Sequence, residues 1–188
     1  PPFWKEEEML QARRTLELPV DAPCFLLAGR LGIDKGTELV THTFPQNAHL
    51  LLAGAADLRA FAHLGTHIHF FERQNAEQMR TLYSACDAAL VPSLCLDCFP
   101  TVCLEAMACG RPVLASSWGG AKESVEDAQG GWIIDPLNAH AWKERMQWCC
   151  DHREELATMG RNGRTRMEQC FSAQFYSETL EALYAQLL

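Results

Sequence analysis

The sequence predicts an α/β fold: a single doubly wound parallel sheet of about six strands, followed by a helical C-terminal tail. Three observations carry this reading. Short apolar runs alternate with helix-patterned stretches. The connections between them are as short as those of βα units. From residue 138 onward only helical patterns remain. The core therefore covers residues 24–136, with a lead-in segment at 1–22 and the tail at 138–188.

Taken in order, the strands are expected at 24–29, 49–54, 67–71, 88–92, 112–116 and 131–135. Each is a short apolar run bounded by glycine, proline or polar residues. Helical stretches fall between them at 37–43, 57–64, 76–86, 101–109 and 121–125. The tail reads as three helices, 138–152, 154–170 and 173–188. Asn138 and Ser172 suit N-cap positions, where a side-chain oxygen accepts from an otherwise free backbone N–H. The last helix carries Phe175, Leu180, Leu183, Tyr184, Leu187 and Leu188, an apolar set expected to dock on its own domain or on a second chain.

A chain of 188 residues can bury one good core. Hydrophobic residues at 48% and charged residues at 21% exclude a disordered chain. No apolar run approaches the ~20 residues of a spanning helix. Lys and Arg number 16 against 24 Asp and Glu, a net charge of −8. That balance argues against a nucleic-acid-binding surface, which needs clustered cations. An anionic ligand has to be held by a local positive field.

The nine cysteines are an odd number and cannot all pair. Cys86, Cys103, Cys109, Cys149 and Cys150 sit in apolar runs, where a reduced thiol behaves as a small hydrophobe. Cys95, Cys98, Cys103 and Cys109 lack the second close pair or ferredoxin spacing of a metal centre. Structural thiols in a reducing cytosol are expected, with no metal site. The histidines, including His67 and His69, read as satisfied or exposed imidazoles rather than ligands. Because the chain opens at Pro1, a fragment of a longer protein is expected, with tag removal or processing as the alternative.

In open parallel sheets, ligands bind beyond the carboxyl ends of the strands, so the strand-to-helix loops deserve the closest reading. In the first, Gly29-Arg30-Leu31-Gly32-Ile33-Asp34-Lys35-Gly36 places two cations five residues apart before a helix. Free N–H groups at a helix start favour an anion, Arg30 offers a bidentate fork and Lys35 a point charge. Taken alone, the loop suits a phosphate and a pair of surface charges equally well. It is neither a Walker loop nor a dinucleotide fingerprint.

The second loop runs from Asp97 through Phe99 and Pro100 into the helix that begins near Thr101. Pro100 fits a first helical turn, where its missing N–H is not needed. The N–H groups of Thr101 and Val102 are then free for a phosphate. Glu105 lies one turn on, on the same face, at about the separation of phosphate and ribose. Asp97 precedes the helix, where it can accept from sugar hydroxyls. A solvated Glu105 and an Asp97 that only caps the helix are the plain alternative.

Several ordered motifs now resemble the donor half of the retaining, nucleotide-sugar glycosyltransferases of group 1, which include glycogen and sucrose synthases and mannosyltransferases. Gly29-Arg30-Leu31 with Lys35-Gly36 resembles the family's Gly-Arg-Leu and following Lys-Gly. The family's Glu, seven residues and Glu-Ala-Met-Ala-x-Gly-x-Pro-Val correspond to Asp97 and the run Glu105-Ala106-Met107-Ala108-Cys109-Gly110-Arg111-Pro112-Val113. Gly119-Gly120-Ala121-Lys122-Glu123 matches its Gly-Gly-x-x-Glu. Leu82-Tyr83-Ser84-Ala85-Cys86-Asp87 and Pro92-Ser93 are similar to its remaining pattern. The likeness runs from about 28 to 135.

The resemblance implies one Rossmann-like half of a GT-B fold, a nucleotide-sugar donor-binding domain whose N-terminal acceptor domain lies outside this chain. It implies that Arg30 and Lys35 hold the donor pyrophosphate, assisted by the Thr101 and Val102 amides. Glu105 would take the ribose hydroxyls and Asp97 those of the transferred sugar. Phe99 and Pro100 would border the nucleotide, Gly119 and Gly120 would permit a close loop approach, and Glu123 would order that loop. Phe71 and Arg73 would lie near the base. The substrate would be a UDP- or GDP-linked sugar, UDP first, with no cofactor or metal and no nucleic-acid partner. The implied setting is polysaccharide biosynthesis in the cytoplasm, at the inner membrane face only through the missing half. Asp97 departs from the family's usual Glu and resembles the trehalose-phosphate synthases, which bears on the donor sugar. A nucleotide-sugar epimerase of the same fold and a non-catalytic nucleotide-sugar-binding module are the alternatives. A Rossmann oxidoreductase is disfavoured because no Gly-x-Gly-x-x-Gly follows the first strand.

Overall fold

The computed structural model describes residues 6–55, 65–125 and 129–186. Its strands are β1 (Cys24–Ala28), β2 (His49–Ala53), β3 (Ile68–Phe71), β4 (Ala88–Val91), β5 (Val113–Ser116) and β6 (Gly131–Ile134). Among the described residues they form a six-stranded sheet in the order β3-β2-β1-β4-β5-β6, parallel at every pairing. Each expected strand is present and one residue shorter. The residues lost are Gly29, Gly54, His67, Pro92, Pro112 and Asp135, mostly glycine and proline, which support a ladder poorly.

The helices are α1 (Glu6–Thr15), α2 (Thr37–Thr43), α3 (Ala76–Ala85), α4 (Thr101–Ala108), α5 (Ala121–Val125), α6 (Ala139–Asp151), α7 (Arg153–Cys170) and α8 (Ala173–Ala185). The expected helix at 57–64 lies outside the described residues. Asn138 and Ser172 cap as expected, accepting from Ala141 N at 3.0 Å and Phe175 N at 3.2 Å.

Successive strand residues face opposite sides of the sheet. Phe25, Leu27, Leu50, Leu52, Leu90 and Leu114 bury one face with Val40 of α2 and Trp142 and Met146 of α6. Leu26, Leu51, Val91 and Val113 bury the other with Tyr83 of α3 and Cys103 and Met107 of α4. Because both faces are covered, the strands read as unbroken apolar runs rather than alternating ones.

The lead-in segment holds a helix that the sequence reading left unassigned. Its signal was present: Glu6, Glu7 and Glu8 in the first turn and Arg13 and Arg14 in the last, signs that complement the helix dipole. Arg13 is fully buried. It donates to Asp87 Oδ2 at 2.7 Å and to the carbonyls of Ala85, Val20 and Ala22. Asp87 Oδ2 also accepts from Cys24 N at 2.7 Å, and its Oδ1 from Arg153 Nε and Nη2 at 3.1 and 3.0 Å. This node lies at the amino ends of β1 and β4 and fixes the lower edge of the sheet.

Of the two expected docking places for the last helix, its own domain is not used. No residue of α8 is buried, and Phe175, Leu183 and Tyr184 are 44%, 50% and 60% exposed. Both sheet faces are already covered by earlier helices, so no core surface remains for it on its own domain. Leu187 and Leu188 lie outside the described residues.

Candidate functional site

Strand order reverses between β1 and β4, where the chain winds first one way and then the other. A crevice opens beyond the carboxyl ends of strands at such a point. A cavity of about 240 Å³ lies there. Gly29, Arg30 and Lys35 line it from the loop after β1, and Asp97, Phe99, Pro100, Thr101 and Val102 from the loop after β4. Two sequence-predicted loops thus meet in one place.

Their approach depends on glycine. Gly36 has φ +73°, and a Cβ there would stand 2.1 Å from the Pro92 carbonyl oxygen, so the first loop presses on the end of β4 only with no side chain at that position. Leu94 N donates to Asp34 O at 2.8 Å and joins the loops again. The outcome is an ion pair, Lys35 Nζ to Asp97 Oδ2 at 2.6 Å, with both side chains about three-quarters buried (28% and 25% exposed). The hydrogen bond to Asp97 holds the Lys35 ammonium above its ordinary pKa, outweighing the opposing effect of burial. Arg30 is exposed and pairs with Asp34.

Gly119 and Gly120 do not line the cavity; they brace it from behind. Gly119 has φ +82°, and its Cβ would lie 2.1 Å from Asp97 O. Gly120 N donates to the same oxygen at 2.9 Å. The backbone that presents Asp97 is therefore backed by a loop that only glycine lets come so near.

At the second loop, Thr101 is the first residue of α4, as the 101–109 stretch predicts, and Pro100 is its N-cap rather than part of the first turn. Among the described residues, no protein acceptor meets the N–H groups of Thr101 and Val102. Both residues line the cavity, so unpaired donors and the positive end of α4 adjoin the two cations. Phe99 is 36% exposed, its ring 5.6 Å from Phe171 between α7 and α8.

Glu105 lies one turn along α4, exposed and outside the cavity lining. Its Oε2 accepts from the Tyr83 hydroxyl at 3.1 Å, a contact that sequence reasoning missed because it joins two helices. Phe71 is half-buried and Arg73 exposed near the end of β3. β2 separates that strand from β1, and neither residue lines the cavity. Ser93, which sequence reasoning did not place in the site, is buried in the lining.

Among the described residues no group of three or more His, Cys, Asp or Glu is placed to hold a metal ion. His49 Nδ1 and His69 Nε2 meet each other at 2.8 Å, and His67 stacks on Phe44. No helix among the described residues is long and apolar enough to cross a membrane.

Residues 9–166 match the glycosyl transferases group 1 family. The chain belongs to that family. An uncharacterised glycosyltransferase of Methanocaldococcus jannaschii is 33% identical over 144 residues, covering 70% of this chain and 37% of the relative. Sucrose-phosphate synthase from Thermosynechococcus elongatus superimposes with a TM-score of 0.83 at 29% identity, over 99% of this chain and 51% of that one. HepE of Anabaena, solved in complex with UDP, shares the fold at TM-score 0.84 and 22% identity, over 96% of this chain and 53% of that one. This group 1 glycosyltransferase chain thus spans about a third to a half of the proteins it matches. Its architecture is the Rossmann-like, donor-binding half of a GT-B fold.

Proposed function

We propose that this chain binds a nucleoside diphosphate sugar, UDP-linked in the first instance, for transfer of the sugar to a hydroxyl with retention at the anomeric carbon. The observation that carries the reading is the single cavity shared by Arg30, Lys35, Asp97 and the open N-terminus of α4. Cations from the loop after β1 and free N–H groups from the start of α4 suit a diphosphate. The Asp97 carboxylate in the same cavity suits sugar hydroxyls.

In the reaction, the bond from the anomeric carbon to the β-phosphate oxygen breaks and its electron pair leaves on that oxygen. The acceptor oxygen bonds to the anomeric carbon, and its proton passes to the departing phosphate. Arg30, Lys35 and the α4 amides stabilise the charge that builds on the leaving group, as preorganised donors do in other transfer enzymes. Asp97 orients the sugar, and Glu105 takes the ribose hydroxyls. Phe99 and Pro100 border the nucleotide, Gly119 and Gly120 hold Asp97 forward, and Phe71 and Arg73 reach toward the base.

The acceptor side belongs to a second domain outside this chain, so the chain alone binds donor and transfers nothing. Any membrane association comes through that half, and the free thiols suit the cytoplasm. UDP is the first candidate because it occupies the similarly folded HepE; GDP and ADP are the comparison ligands. The test is a thermal-denaturation panel with all three. A nucleotide at a hundred times its dissociation constant adds about 2.7 kcal/mol of stability. No stabilisation by any of the three overturns the reading.

A further inference from the structure

We propose that Tyr83 is a positioning residue for the nucleotide site: its hydroxyl holds one oxygen of Glu105 so that the other is presented to the ribose. This rests on the assignment of Glu105 to the ribose made above.

Tyr83 sits in the last turns of α3, only 2% exposed, and packs in the cluster that contains Cys103, Ala106 and Met107 of α4. A phenylalanine would fill that space as well. The hydroxyl is the extra feature, and a buried hydroxyl needs a partner. Its partner is Glu105 Oε2, at 3.1 Å. Among the described residues no protein donor reaches Oε1 of the same carboxylate. Glu105 is therefore anchored at one oxygen and open at the other, the arrangement expected of a carboxylate kept for a ligand.

The anchor is stiff. A capping box at Asn75 and Gln78 fixes the start of α3. Buried Arg111, in the turn between α4 and β5, donates to Ser84 O at 2.7 Å and fixes its end. Burial, and then the neighbouring Glu105 carboxylate, push the Tyr83 hydroxyl far above its ordinary pKa, so it stays a donor. An exposed glutamate ordinarily loses rotamer freedom when it grips a ligand, and a side chain already fixed escapes that loss.

The experiment compares this chain with its Tyr83→Phe variant by calorimetric titration. The ligands are whichever of UDP, GDP and ADP binds and the 2′,3′-dideoxy form of that nucleotide. Tyr83→Phe is expected to weaken the ribose nucleotide roughly fivefold or more and to leave the dideoxy form unchanged. In a Glu105→Ala background the same substitution should change neither. Equal binding of the ribose nucleotide by both proteins, or an equal loss for both nucleotides, overturns the proposal. Glu105→Ala binding both as the original chain does overturns the ribose assignment instead, as does failure of all three nucleotides to bind; the proposal falls with it. Should Tyr83→Phe not fold, Glu105→Asp draws the carboxylate back from the hydroxyl without touching the core. It is expected to erase the preference for ribose over dideoxyribose, and a preserved preference overturns the proposal.

Discussion

Lys35 Nζ and Asp97 Oδ2 stand 2.6 Å apart across a separation of 62 residues. One bond thereby joins the group proposed to hold the diphosphate to the group proposed to hold the sugar. A donor phosphate must compete with Asp97 for Lys35. Asp97→Asn is therefore expected to tighten UDP binding, measured by titration of this chain, while lowering sugar transfer by the complete protein. Weaker UDP binding in that variant would count against the arrangement.

Lys35→Ala and Arg30→Ala each remove a cation proposed to stabilise the leaving group. In the complete protein each is expected to cost roughly 2–4 kcal/mol of transition-state stabilisation, as loss of an oxyanion donor does. The measurement is kcat/KM for sugar transfer. Because Arg30 is exposed and, among the described residues, paired only with Asp34, its removal should leave the denaturation midpoint nearly unchanged. Near-original turnover in either variant sinks the assignment.

Gly119→Ala tests the brace behind Asp97. The new Cβ would meet Asp97 O at 2.1 Å from a backbone at φ +82°. An alanine forced into positive φ destabilises by more than about 1 kcal/mol. Urea denaturation should show that loss, together with weaker nucleotide binding as the Asp97 loop is displaced. A variant of unchanged stability would show that the loops yield without strain.

Alkaline pH should unfold the chain through its thiols. Burial raises Cys24 to about 11 and Cys86, Cys103 and Cys150 to about 12. Their folded pKa values exceed the unfolded one of 9.0, so above that pH the unfolded chain releases protons that the fold retains. The stabilisation is complete below pH 9 and is lost as pH rises toward the folded values, at about 1.4 kcal/mol per pH unit per thiol. Denaturation midpoints measured from pH 8 to 10.5 should fall, and Cys86→Ala should flatten the slope.

Asp87→Asn removes the charge shared by Arg13 and Arg153. Loss of one partner in a buried pair destabilises by about 3–5 kcal/mol, since Arg13 is left with carbonyl acceptors alone. Urea denaturation should show a lower midpoint with an unchanged slope.

The strands were legible because burial on both faces makes each an apolar run between turn residues, as at β1 and β4. The loops were legible because Arg30, Lys35 and Asp97 sit in motifs whose spacing fixes their side of the sheet. The α1 helix showed only in its terminal charges, since its buried face includes Arg13, a residue that reads as solvated until Asp87 is found 74 residues away. The Tyr83–Glu105 contact was hidden for the same reason: it joins two helices that no local spacing connects. The ion pair of Lys35 and Asp97 needed Gly36 against Pro92, a contact between backbones rather than side chains.

The node at Asp87 has a mechanical consequence. It clasps the lead-in helix, the first strand and the start of α7 at the floor of the sheet, and Arg153 also reaches Asp21 O, 132 residues earlier. Tension applied at the N-terminal side meets Arg13, and tension that peels α8 and α7 stops at Arg153. Both loads converge on one carboxylate, at the far end of the strands from the cavity, so a pull on either end of the chain spares the cavity loops.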